Sequence, residues 1–408
     1  MMHWLTRVAI LSFTCACCHV YAAPRLLITA AHTLGEARNG ETIAIPWASV
    51  QAALPGALLQ HLVVRNQQGQ SIAYQVTNER PLARDPDQRG ASYGSLLFQH
   101  DFAAGEQLSS FTVERAEQVS PPSATRAYAR YVPERLDDFA WENDLIGHRT
   151  YGQALAAPAP AGSDKEVLVT SGMDVWFKRV SYPVLDRWYN KGHEHYHTDQ
   201  GEGLDMYSVG GSRGAGGVGI WDGQALAVSR NYHGWKILAN GPIRSVFELS
   251  YDSWDAAGVV VRETKRITVD AGHRFDRIES TFVFDGKASL NAAVGLNKTP
   301  AYPERQPQIA YLRLPQHGVL AQWVSQQRDG NFGVAVILPE AKQPQYAEDG
   351  LNALILQRVT SGRPLLYYAG AAWSEASGIN SLRQWQSEIE AEARRLQAPL
   401  TITTTVLP

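Results

Sequence analysis

Three long runs between residues 244 and 284 alternate apolar and polar side chains, at 244–251, 259–269 and 275–284. In an extended chain successive side chains point to opposite faces, so each run makes a strand with one buried and one wet face. Asp270, Ala271 and Gly272 separate the second run from the third and supply the turn of a hairpin. Residues 332–338 repeat the pattern. A chain written this way is committed to broad antiparallel sheets.

Shorter alternating stretches lie upstream, at 26–28, 42–45, 61–64, 96–98 and 111–113. Their spacing predicts a β-sandwich of immunoglobulin-like size over 24–118. Val119-Ser120-Pro121-Pro122-Ser123 ends it, because consecutive prolines cannot donate to a sheet ladder and read as a linker. One helix is predicted, near the end. Ser381 and Gln384 form a capping box, Leu382, Trp385, Ile389, Ala393 and Leu396 line one face, and Pro399 stops it. Residues 400–406 read as a closing strand. The expected fold is mainly β: a small β-sandwich at 24–118, then a large antiparallel β-supersandwich at 119–408 with one C-terminal helix. That pattern fits a two-sheet sandwich better than an α/β enzyme.

Residues 1–22 read as a secretory signal, with Arg7 as positive flank, an apolar run at 8–18 too short to span a bilayer, and a cleavage site after Ala22 or Ala23. A lipoprotein anchor is the rival reading, but no Leu-Ala-Gly-like triplet precedes Cys15, Cys17 or Cys18. These are the chain's 3 cysteines, so the mature protein is expected to carry no disulfide, thiol nucleophile or thiolate metal site. The expected location is periplasmic or extracellular, with no membrane insertion after cleavage. A net charge of −3 without any Lys/Arg block disfavours nucleic acid and anionic membranes as partners. The 11 Trp and 17 Tyr often stand among polar residues, as in Trp141-Glu142-Asn143-Asp144 and Trp188-Tyr189-Asn190. A flat ring beside amides and carboxylates suits a sugar, whose C–H face stacks while its hydroxyls bond. Aromatics are equally ordinary strand residues.

The chemistry is concentrated in four stretches. The first, at 132–149, holds Asp137, Asp138, Glu142, Asn143, Asp144, His148 and Arg149. In the second, Asp174, Trp176 and Lys178 share one face of a strand. The third, at 188–207, carries His193, His195 and His197 at alternate positions, as on one side of a strand, with Asp199, Glu202 and Asp205 nearby. Glycines 192, 201 and 203 mark it as a loop of unusual backbone torsions. The fourth, Asn240-Gly241-Pro242-Ile243-Arg244, is a turn that delivers an arginine onto a strand. The glycine-rich tail at 210–219 lacks the Lys-Ser/Thr of a phosphate loop. A His-x-His-x-His run binds zinc or copper in some proteins and is also common in exposed loops, and no clear pattern of partners to orient the imidazoles singles it out here. The acidic-plus-Asn stretch offers oxygens to Ca²⁺ but lacks EF-hand spacing. No cofactor is expected, and no metal ligand is assigned.

Four segments carry a family resemblance: Arg135-x-Asp137-Asp138-x-x-Trp141-Glu142-Asn143-Asp144, Ser171-Gly172-x-Asp174-x-Trp176-x-Lys178-Arg179, Tyr196-His197-x-Asp199-x-Gly201-Glu202-Gly203-x-Asp205-x-Tyr207 and Asn240-Gly241-Pro242-x-Arg244. They resemble an exported bacterial family with a domain of unknown function, often encoded beside genes that break down pectin and other uronate glycans. The resemblance covers nearly the whole mature chain and implies a galactose-mutarotase-like supersandwich. His193 and His195 lie outside the matched part, which leaves His197 as the working imidazole.

A uronate polymer is cut by β-elimination when a base takes the C5 proton, a cation neutralises the carboxylate and an acid protonates the departing oxygen. His197 is the candidate base, Arg149, Lys178 or Arg244 the carboxylate clamp, and Tyr189 or Tyr207 the proton donor. Hydrolysis would instead use two carboxylates, Glu142 with Glu202 or Asp205. A mutarotase or epimerase needs an acid and a base, such as Glu202 and His197. Trp141, Trp176 and Asn143 complete the substrate-binding set. A non-catalytic glycan-binding module leaves so many titratable groups unexplained. The reading taken is an enzyme acting on uronate-containing, pectin-like poly- or oligosaccharides, with a lyase ahead of a hydrolase.

Overall fold

The computed structural model describes residues 23–79, 94–341, 343–376 and 378–408. The expected signal peptide at 1–22, and the cysteines within it, lie outside the described residues. The fold is mainly β and sandwich-like, and every pairing of named strands is antiparallel.

Two sheets face each other at the amino-terminal end. Strands Thr401–Leu407, Arg25–Ala31, Leu108–Arg115, Leu62–Arg65 and Ser71–Ile72 form one, in that order, and Arg38–Pro46, Ser95–Phe102 and Tyr74–Thr77 the other. Alternation buries Ile28, Ile43, Ile45, Val64, Phe98 and Phe111 between them. The first sheet borrows its edge strand from the far end of the chain: Ile28 pairs with Thr404. The expected boundary, which gave all of 119–408 to the second unit, therefore needs correction for its last strand. Pairing there covers an edge that would otherwise invite intermolecular strand addition.

The larger unit has an eight-stranded sheet in which Arg244–Ala256, Val259–Asp270 and Phe275–Phe284 lie side by side, as the alternation requires. Against its inner face pack two five-stranded sheets. One runs Leu226–Ala227, Ala215–Trp221, Leu290–Asn297, Asn352–Val359 and Gln345–Glu348. The other runs Gly203–Asp205, Asp174–Lys178, Ile146–Thr150, Asp138–Asn143 and Ala127–Val132. One core joins all three, with Phe139 and Val175, Val218 and Val294, and Phe247 and Ile278 drawn from the respective sheets. The helix Leu382–Gln397 covers the outer face, burying Trp385, Ile389 and Ala393 on Val319, Ala321 and Ala335. Ser381 Oγ accepts from Gln384 N as expected, while Gln384 Oε1 accepts from Asn380 N, one residue before the cap. Among the described residues four shorter helices, Trp47–Ala53, Gln153–Ala156, Leu185–Lys191 and His193–Tyr196, add to the single helix expected.

Candidate functional site

Strands Asp138–Asn143, Ile146–Thr150, Asp174–Lys178 and Gly203–Asp205 are neighbours in one sheet, and the site follows from their alternation. Phe139, Trp141, Ile146, Val175, Phe177 and Leu204 point into the sandwich core. Asp138, Glu142, Arg149, Asp174, Trp176, Lys178 and Asp205 point the other way, toward the helices Leu185–Lys191 and His193–Tyr196. Residues far apart in sequence become one layer because each occupies an outward position of a paired strand. Gly203 permits the last pairing: its φ is +125°, and a Cβ there would meet the Phe177 carbonyl at 2.0 Å.

Arg149 stands at the centre. Its Nη2 donates to Asp174 Oδ2 and to Asp205 Oδ2, each at 2.7 Å, and its Nη1 lies 3.4 Å from Asp138 Oδ2 and from the Tyr196 hydroxyl. The Tyr151 hydroxyl donates to Asp174 at 3.1 Å and the Tyr189 hydroxyl to Asp138 at 3.1 Å. Trp176, Tyr151 and Tyr196 place their rings within 5.6 Å of the guanidinium carbon. Arg149, with the Arg135 charge near Asp138, faces three carboxylates in a buried layer. Burial pushes Asp138 up to about 6, with Arg149 opposing the rise. Burial also raises Asp174, and it raises Asp205 strongly, helped by the Asp174 charge. Burial thus favours the protonated carboxyl at all three positions.

His197 lies at the edge of this centre with its side chain a quarter exposed. Its Nδ1 is 3.0 Å from the Asp205 carbonyl oxygen and 3.8 Å from Asp205 Oδ2. Burial lowers its pKa to about 4, so the imidazole is neutral above that pH. A carboxyl pushed up beside an imidazole pushed down is the arrangement of an acid and a base ready for opposite proton transfers.

Other expected site residues are placed elsewhere or already engaged. Lys178 Nζ donates to Glu142 Oε2 at 2.6 Å and to the Asn143 carbonyl, and Glu142 accepts from Val184 N and Leu185 N, so this pair anchors the helix Leu185–Lys191. Arg244 is bidentate to Asp270 and reaches Glu79, away from the Arg149 layer. Trp141 is fully buried on the core side, donating to Asp276 Oδ2 at 2.7 Å and stacked on His148; it is no sugar platform. Trp176 is equally buried, wedged among Trp188, Tyr189 and Tyr196. Asn143 donates to the Asp270 and His273 carbonyls and ties two sheets together. Tyr207 faces the core, where burial raises its pKa. Glu202 is held by Tyr182, Arg187 and Trp188 outside the cluster. The three histidines do not share a strand: they sit on a helical turn, which brings His193 and His197 together and leaves His195 apart.

Asp138, Asp174, Tyr151 and Tyr196 belong to the centre but were not singled out from sequence as working residues. The signal for Asp174 was the strand alternation it shares with Trp176 and Lys178, and Tyr151 lies two residues beyond Arg149. Tyr302 gave no signal. It approaches from a distant loop, where its phenol is raised by burial and by the charges of Asp205 and Asp174. Among the described residues no group of three or more His, Cys, Asp or Glu stands together at metal-binding spacing.

The chain is 31% identical over 330 residues to Uncharacterized protein P7 of Formosa agariphila, covering 78% of this chain and 80% of that one. In structure it is similar to an alpha-mannosidase from Enterococcus faecalis V583, with 10% identity, a TM-score of 0.48 and 93% of this chain covered. It is similar also to a protein in the Glycosyl Hydrolase Family 38 from Enterococcus faecalis, with 10% identity, a TM-score of 0.47 and 93% of this chain covered. The chain spans less than half the length of both structures, 46% and 47%. The family model described as Domain of unknown function (DUF4861) matches residues 31–402, and the chain belongs to that family.

Proposed function

We propose that this protein is an exported carbohydrate-active enzyme that works by acid–base chemistry at the Arg149 centre on uronate-containing, pectin-like oligo- or polysaccharides. The observation that carries the enzymatic part is the His197 imidazole, its pKa lowered by burial, beside a carboxyl cluster whose pKa values burial raises. A protein that only bound glycans would not need to bury three carboxyls around one arginine, at a cost repaid only by function or by exact pairing. The uronate substrate and the export rest on the family resemblance and on the signal-like leader read from the sequence.

In the β-elimination form, His197 Nε2 takes the C5 proton and the carboxyl cluster returns one to the departing oxygen through Tyr189 or Asp138, which share a hydrogen bond. Lys178 and Arg244 are withdrawn as carboxylate clamps by their ion pairs, and Arg149, paired with Asp174 and Asp205, acts as a clamp only where a substrate carboxylate displaces one of them. A specific observation favours hydrolysis as the second reading: Asp138 and Asp205, both raised by burial, have the character of a general acid. Incubation with homogalacturonan, rhamnogalacturonan and glucuronan fragments separates the two. A lyase creates an unsaturated product that absorbs near the ultraviolet edge, whereas a hydrolase raises reducing ends without that absorbance. Binding with neither signal would overturn the enzymatic reading.

A further inference from the structure

His193 and His197 face each other across the helical turn His193–Tyr196, with their Nε2 atoms 3.2 Å apart. The opposite nitrogens are both turned to oxygen acceptors. His197 Nδ1 lies 3.0 Å from the Asp205 carbonyl, which can only accept, so that nitrogen carries the proton and Nε2 holds the lone pair. His193 Nδ1 lies 3.5 Å from Glu194 Oε1, which favours the same tautomer. In the other tautomer of His193 its Nε2–H donates to His197 Nε2; in this one two lone pairs face a single gap and favour a cation between them. Two nitrogens of one tetrahedral zinc, each about 2.0–2.1 Å from the ion, stand roughly 3.3 Å apart. The observed separation matches that spacing. A ligating imidazole ordinarily donates its other N–H to a backbone carbonyl or carboxylate, which fixes its tautomer, and both rings have such a partner. Two histidines four residues apart on one helical face recur as a metal-binding pair for the same geometric reason.

We propose that His193 and His197 chelate one divalent transition-metal ion through Nε2, in a site completed by water or by an oxygen of a bound ligand. This goes against the expectation from sequence, which assigned no metal ligand. Accessibility suits the exchange of such an ion, since the His193 side chain is 46% and that of His197 25% exposed. Occupancy has a consequence that rests on the function proposed above. The ion takes the lone pair that His197 would use as a base, so zinc inhibits the reaction and its removal restores it.

The test uses the full chain without a histidine tag. Calorimetric titration with Zn²⁺ should give one ion per chain, with affinity lowered roughly tenfold or more by His193→Ala and by His197→Ala. His195→Ala, on the same turn but outside the pair, should bind as the unaltered protein does. Equal weakening by all three substitutions, or no zinc uptake beyond that of the His193→Ala/His197→Ala double variant, would overturn the site. In an activity assay on uronate oligosaccharides, His193→Ala should lose the inhibition by zinc, its rate with the ion matching its own rate without it. Tight zinc binding with no inhibition would leave the metal site standing and remove His197 as the base, so the two ideas fail separately.

Discussion

Asp276 and His148 show how single buried groups tie this protein to pH. Both are about 1% exposed in the sandwich interior, with His148 Nε2 3.6 Å from Asp276 Oδ2. Burial lifts Asp276 to about 7, against the stabilising hydrogen bond from Trp141. Between the ordinary aspartate value and about 7 the folded state holds a proton that the unfolded chain has released, so this group's contribution to stability falls as pH rises through that window. His148, lowered to about 4 by burial, acts in the opposite sense: its contribution rises with pH between about 4 and 6.5. Asp276→Asn keeps an acceptor for Trp141 and does not titrate. Urea denaturation should therefore find the variant gaining on the unaltered protein from pH 4 to pH 8, by at most roughly 4 kcal/mol for a shift of about three pH units. A constant difference across that range would show that Asp276 is ionised throughout. At the site, His197→Ala should lower turnover on a cleavable uronate oligosaccharide by about 10²–10⁴-fold, the usual worth of a positioned base. On the proposed function, the activity of the unaltered protein should fall as pH drops through about 4, where the imidazole gains its proton. Retention of full activity by the variant would remove this assignment.

At the scale of elements, the decisive feature is the cover of two short helices over the outer face of the Ala127–Asp205 sheet. The helix Leu185–Lys191 is held at its start by Glu142, which accepts from Val184 N and Leu185 N, while Lys178 neutralises the carboxylate. Removing one partner of so buried a pair strands the other charge. Lys178→Met should cost about 3–5 kcal/mol by denaturant titration, whereas loss of an exposed pair costs about 1 kcal/mol or less. A loss within the exposed range would mean that Glu142 finds water. The C-terminal helix rests on a smaller device. Ser381→Ala should lower the stability of the fold by about 1 kcal/mol, read as a lower Tm, because Gln384 N loses its acceptor. That helix was legible in the sequence because its cap, its apolar stripe and its proline stop are all local. The short helices at 185–196 were not legible. Their packing is tertiary, with Trp188, Tyr189 and Tyr196 laid on Trp176, and alternating histidines suggested a strand instead.

Across the whole molecule, the chain closes on itself: the strand Thr401–Leu407 returns to pair with Arg25–Ala31, and the preceding helix is bound to the small sandwich through Arg395 with Glu41 and Arg394 with Glu36. Removing residues 401–407 should leave an open edge beside a hydrophobic core, and the truncated protein should aggregate in light scattering and lose its sharp thermal transition. A monodisperse, normally melting truncation would show that the strand is decoration. The sequence alone determined the class of fold, because a period of two cannot be satisfied except by strands with one buried face. It determined too that acids, bases and aromatics gather in the segments at 132–149, 172–179 and 188–207. Which of those groups work together was decided only by tertiary structure. The pairing of four strands set Asp138, Arg149, Asp174 and Asp205 on one outward layer and turned Trp141 inward to Asp276. The ion pairs that claim Lys178 and Arg244 involve Glu142, Asp270 and Glu79. Local pattern fixes which face a side chain takes, but a partner 36 residues away, as for Lys178 and Glu142, is chosen by sheet register.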